Sequence, residues 1–117
     1  MAAADGILFG SPTYFANVTA EMKALVDRTG LVAMANEGML RRKVGAAIVA
    51  VRRAGASHVF QAINQLFLAL EMIVPGANYP NLAVGMEPGA AANDQEGMQT
   101  MRVLGRNMAW LLKKIRD

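Results

Sequence analysis

The sequence predicts an α/β domain built on a parallel sheet, and three observations carry that expectation. Val44 to Val51 is a continuous apolar run, the pattern of a parallel strand covered on both faces. Strand-like and helix-like segments alternate along the chain, which implies right-handed crossovers with helices on both sides of the sheet. Between Asp5 and Val18, a short apolar strand runs straight into a Ser-Pro-x-Tyr turn that opens a helix. Such strand-to-helix turns are where open α/β sheets hold ligands.

Taken in order, Gly6 to Gly10 is the first expected strand. A helix follows from Val18 to Arg28, with Val18, Met22, Leu25 and Val26 spaced to share one face and Asn17 as its N-cap. Leu31 to Leu40 reads as a loop with a short helical turn. After the Val44 to Val51 strand comes a helix from Ser57 to Glu71, whose Val59, Phe60, Ile63, Leu66, Phe67 and Leu70 line a broad apolar face. Ile73-Val74 starts a third strand, continued or replaced by Leu82 to Gly85 because Pro75, Gly76 and Pro80 interrupt the run. Gly85 to Asn93 is a loop. The last helix spans Asp94 to Ile115, with Asp94 and Glu96 at its start and Lys113, Lys114 and Arg116 at its end, each sign complementing the helix dipole.

Composition sets the outer limits. The 117 residues are enough for one domain, 1–117. Hydrophobic residues make up 54% and charged ones 18%, which predicts extensive burial, part of it between subunits. No apolar run approaches the ~20 residues that cross a bilayer, so no membrane partner is expected and a cytoplasmic location is. Cysteine is absent, which removes disulfides and thiolate ligands. The single His58 has no ligating neighbour at metal-site spacing. The net charge is +3, yet Arg41-Arg42-Lys43 and Arg52-Arg53 lack interleaved aromatics or a nucleic-acid motif, so nucleic acid is not an expected partner. These basic spots suit a rim beside a phosphate-bearing cofactor, or a solvated face.

The turn after the first strand suits a flat aromatic ligand. Pro12 fixes φ, Tyr14 and Phe15 offer stacking faces, and backbone N–H groups near the helix start can meet carbonyl oxygens or ring nitrogens. An ordinary strand-loop-helix turn with its aromatics in the core is the competing reading.

The segment Gly10-Ser-Pro-Thr-Tyr-Phe-Ala-Asn-Val18, then Met22-Lys-Ala-Leu-Val-Asp-Arg-Thr-Gly30, then Lys43-Val-Gly-Ala-Ala-Ile-Val-Ala-Val-Arg-Arg-Ala-Gly55, resembles the flavodoxin-like NAD(P)H-dependent FMN reductases, in their iron–sulfur-flavoprotein and multimeric-flavodoxin branch. The resemblance implies a flavodoxin-like three-layer sandwich and places these strands third, fourth and fifth in a 2-1-3-4-5 sheet. It covers nearly the whole chain but the second half of the family fold, so the first two strands and the phosphate loop are expected to be missing. FMN would then lose charge-assisted hydrogen bonds of roughly 1.5–3 kcal/mol each.

The resemblance further implies FMN as cofactor, NAD(P)H as co-substrate, and two flavin loops. Ser11, Pro12, Thr13, Tyr14, Phe15, Ala16 and Asn17 form the first; Arg52, Arg53, Ala54 and Gly55 form the second, less glycine-rich than the family's. No catalytic dyad is expected, since the cofactors carry the chemistry. His58 more often caps or packs at a helix start than it reacts. A flavin-binding electron carrier, or an oligomeric fragment that binds no cofactor, remain as alternatives. The unpaired edge of the first strand predicts a homodimer or homotetramer, assembled edge to edge.

Overall fold

Three strands run parallel in the order β1 (Gly6–Pro12), β2 (Val44–Val51), β3 (Leu82–Val84) in the computed structural model, which describes residues 1–115. Helix α1 (Ala20–Ala35) links β1 to β2, α2 (Ala56–Ala69) links β2 to β3, and α3 (Gln95–Ile115) closes the chain. The architecture is the α/β sandwich the sequence predicts, with β2 central. Its register pairs Gly6 with Val44 through Pro12 with Ala50, and Val49 with Leu82 through Val51 with Val84.

The continuous apolar run in β2 is explained by what covers it. On one face Ile7, Phe9, Val49 and Val51 meet Val59, Ile63 and Phe67 of α2, with α1 alongside. Phe9 and Phe67 pack as a tilted pair with ring centroids 5.3 Å apart. On the other face Val44 and Ala46 meet Leu104 and Met108 of α3. In β1 the pattern is different: Ile7, Phe9 and Ser11 are buried, while Leu8, Gly10 and Pro12 are exposed. One face of this edge strand is therefore covered and the other is open.

Several boundaries differ from expectation. The N-cap of α1 is Thr19 rather than Asn17; its hydroxyl accepts the Met22 N–H at 3.1 Å, whereas the Asn17 side chain is occupied with the adjacent Val18 N–H at 2.8 Å. The helix then runs past Arg28 to Ala35. Its buried face is Thr29 and Ala33 with the partly buried Met22 and Val26 beside them, and Leu25 lies outside it at 38% exposure. The third strand is Leu82–Val84, while Ile73 makes a single bridge to Val44 and goes no further. Helix α2 ends at Ala69, because Glu71 turns to a positive φ of 58°. Lys113 and Lys114 stand in the last turn of α3; Arg116 lies outside the described residues.

The two sheet edges are finished differently. The Gly85 N–H points to β2, donating to the Val51 carbonyl, so the N–H groups of Leu82 and Val84 point outward. Both are satisfied locally: Leu82 donates to the Pro80 carbonyl at 2.8 Å and Val84 to Oδ2 of Asp94 at 2.8 Å. Oδ1 of the same Asp94 accepts the Gly97 N–H at 3.0 Å and so caps α3. In contrast, β1 pairs with β2 on one side only.

Candidate flavin site

The carboxyl ends of β1 and β2 lie side by side, and the two loops expected to bind flavin grow from them. The Thr13 N–H donates to the Ala50 carbonyl at 2.9 Å, so the first loop leaves the sheet while still tied to β2. Its base is held by Ser11, which is buried; the hydroxyl donates to the Pro12 carbonyl at 2.8 Å and accepts the Thr19 N–H at 3.2 Å. One side chain thereby clamps the end of the strand to the start of α1.

Between these anchors the chain makes a tight reversal. Tyr14 and Asn17 exchange backbone hydrogen bonds at 3.0 and 3.1 Å, with Phe15 and Ala16 at the tip at φ 48° and 61°. Two successive left-handed residues form the type I′ geometry that ordinarily selects glycine or asparagine. Each non-glycine residue there costs roughly 1–2 kcal/mol. Such strain collects at ligand clamps and active sites.

Tyr14 is 63% exposed and Phe15 is fully exposed. The structure therefore rejects the reading in which these aromatics fill the core. It presents them on the surface of the candidate loop instead.

The second loop docks onto the first. Gly55 has φ 90°, and a Cβ on it would come within 2.6 Å of the Ala16 Cα and 3.2 Å of the Thr13 Cγ2. Only a glycine gives both the left-handed turn and the close approach. Arg52, Arg53 and Ala54 are exposed beside this contact, as are Ala16 and Asn17. Neither arginine pairs with a carboxylate among the described residues. His58 is exposed in the first turn of α2, where its N–H donates to the Gly55 carbonyl at 3.2 Å.

The residues present fit a flat, polar-edged group. The backbone N–H groups of Phe15, Ala16, Arg53 and Ala54 have no acceptor among the described residues, and the buried Thr13 hydroxyl also lacks a partner. Unspent donors beside exposed aromatics suit a ring with carbonyl oxygens and nitrogens along its edge.

A third segment reaches the same mouth, and it was absent from the expected site. After β3, Gly85 packs so tightly that an added Cβ would meet the Ala91 nitrogen at 2.3 Å, and Met86 places its sulfur 4.0 Å from the Arg52 guanidinium. Its position at the carboxyl end of a parallel strand was the available signal.

Fold and site together define a flavodoxin-like α/β protein. Residues 1–87 match the family described as NADPH-dependent FMN reductase, and the chain belongs to that family. It is 40% identical over 123 aligned residues to an iron–sulfur flavoprotein of Methanocaldococcus jannaschii, covering 99% of this chain and 63% of that protein. It is 36% identical over 77 residues to a NAD(P)H dehydrogenase (quinone) of Acidithiobacillus ferrooxidans, covering 64% of this chain and 38% of that one. A WrbA-like flavodoxin from Agrobacterium tumefaciens superposes with a TM-score of 0.81 at 18% identity, over 97% of this chain and 69% of that one. The chain thus spans less than two thirds of the length of the curated flavoproteins it matches.

Proposed function

We propose that the chain binds FMN between the Thr13–Asn17 and Arg52–Gly55 loops and serves an NAD(P)H-dependent oxidoreductase of the flavin or quinone reductase type. The single observation that carries this reading is the Gly55–Ala16 contact, which brings the two loops together and leaves their N–H donors and the Tyr14 and Phe15 rings facing outward. Membership of the FMN reductase family supports it.

In this reading the backbone N–H groups of Phe15, Ala16, Arg53 and Ala54 orient the ring edge, and Tyr14 and Phe15 shield a ring face from water. Arg52 and Arg53, which pair with no carboxylate among the described residues, add positive charge where an anionic cofactor or co-substrate approaches. The bound flavin would supply hydride and electron transfer. No acid or base is required of the protein beyond this positioning.

The whole chain, 1–117, acts as one domain in this proposal, in the cytoplasm. Among the described residues no helix is long and apolar enough to cross a membrane. An electron-carrier role would use the same two loops.

The test is reconstitution. Purified chain is mixed with FMN, freed of excess, and examined by absorbance before and after adding NADPH or NADH without oxygen. Retained flavin that bleaches with a nicotinamide supports the reductase; retained flavin bleached by dithionite alone supports the carrier. A colourless chain refutes binding by these loops.

A further inference from the structure

We propose that Met86 is a reversible oxidation site: a hydroperoxide converts its thioether into a sulfoxide, and the sulfoxide oxygen then holds the Arg52 guanidinium. The contact and its chemistry stand on the ends of β2 and β3 alone; only the consequence for a bound cofactor rests on the flavin reading.

Neighbouring strands bring the two side chains together. Val51 and Val84 are partners in the β2–β3 register; Arg52 follows the first directly, and Met86 follows the second after Gly85. The backbone is tied down on both sides of Met86. The Gly85 N–H donates to the Val51 carbonyl at 2.9 Å, and the Glu87 carbonyl accepts the Ala90 N–H at 2.9 Å. Nη2 of Arg52 reaches the Met86 sulfur at 4.0 Å.

A thioether is a weak acceptor, and Arg52 pairs with no carboxylate among the described residues, so the guanidinium has donors to spare. Met86 is open to a small reagent, at 64% exposure. Other methionines lack one condition or the other. Met72 and Met108 are buried, and the Met1 sulfur accepts the neutral Thr29 hydroxyl at 3.9 Å. Met34 is 77% exposed, with no hydrogen-bond donor on its sulfur among the described residues.

In the reaction the sulfur lone pair attacks one peroxide oxygen and the O–O bond breaks. The proton on the transferred oxygen passes to the departing one, which leaves as water or as an alcohol. Sulfur gives up an electron pair and the peroxide takes it. The product is a polar, chiral sulfoxide, and its oxygen accepts a charge-assisted hydrogen bond from the guanidinium beside it. The Arg52–Gly55 loop is then fastened to the segment after β3, and positive charge is drawn away from where an anionic cofactor would approach. Methionine sulfoxide reductases each act on one epimer and restore the thioether, which makes the change reversible.

The experiment uses hydrogen peroxide on the purified chain without flavin, with oxygen uptake at each methionine mapped by mass spectrometry of its peptides. Phenylglyoxal then reports the reactivity of Arg52, with Arg53 as the internal reference. Oxidation of Met86 should slow modification of Arg52 by roughly threefold or more and leave Arg53 unchanged, and one of the two reductases should reverse the effect. Met86→Leu should abolish the protection, Met34→Leu should keep it, and Met86→Gln, whose amide oxygen is a strong acceptor, should reproduce it without peroxide. An Arg52 rate indifferent to the sulfoxide, protection that survives in Met86→Leu, or a Met86 that stays reduced while Met34 is oxidised overturns the proposal. A chain that shows the protection yet retains no FMN overturns the cofactor reading alone.

Discussion

The Cα of Ala16 occupies the space that a side chain on Gly55 would need: an added Cβ would approach it to 2.6 Å. Two loops far apart in sequence are thereby locked into one surface. Gly55→Ala must part them or strain a backbone already at φ 90°. The expected cost is about 1–3 kcal/mol in stability, measured by urea unfolding, with a greater relative loss in FMN retention than in the unfolding midpoint.

Phe15 sets strain against exposure. Glycine relieves a φ of 48° and removes a ring that makes no core contact, so Phe15→Gly should leave stability unchanged or raise it by up to about 1 kcal/mol. The same variant should bind FMN more weakly. Thermal unfolding and flavin titration on one preparation test both halves, and loss of stability without loss of flavin would refute the assignment.

Thr19 caps α1 through the Met22 N–H. Thr19→Ala should cost about 1 kcal/mol, while Asn17→Ala should cost less, because Asn17 serves only the adjacent Val18 N–H. Parallel chemical denaturation curves distinguish the two positions.

The Asp94 carboxyl is held below the ordinary carboxylate range, first by the Gly97 N–H and then by the Val84 N–H. A folded-state value lower than the unfolded one means that ionisation favours the fold. That contribution is complete above the unfolded value near about 3.9 and is lost as the pH falls through the lower, folded value. The stability advantage of the native chain over Asp94→Asn should therefore persist at neutral pH and shrink below about pH 4, as read from urea midpoints along a pH series.

Much of the fold was legible because its signals are local and redundant. Val44 to Val51 reads as a buried strand since both of its faces are covered, and the apolar row of α2 survives any small error in its ends. The start of α1 was less legible: Asn17 and Thr19 are both good caps by type, and the choice depends on the Ser11 hydroxyl accepting the Thr19 N–H, a tertiary fact. Arg28 was the expected end of α1, yet the helix continues to Ala35 and buries Thr29 and Ala33.

The two candidate loops were legible, but not their junction. Nothing in Arg52-Arg53-Ala54-Gly55 shows which atom Gly55 must clear, and Phe15 and Ala16 carry no sequence mark of a left-handed turn. The Gly85 to Asn93 segment was read as a plain loop, since its small residues give no chemistry until packing brings Met86 beside Arg52.

The Asp94 clip on β3 also bears on how far the sheet can grow. A chain with two receptive margins would polymerise, each copy offering a new template to the next. Here the β3 margin is sealed from within by a carboxylate and a short strand, so the sheet is closed to a further strand on that side. The contact that fixes the start of α3 thus also acts as a terminator of the sheet at β3.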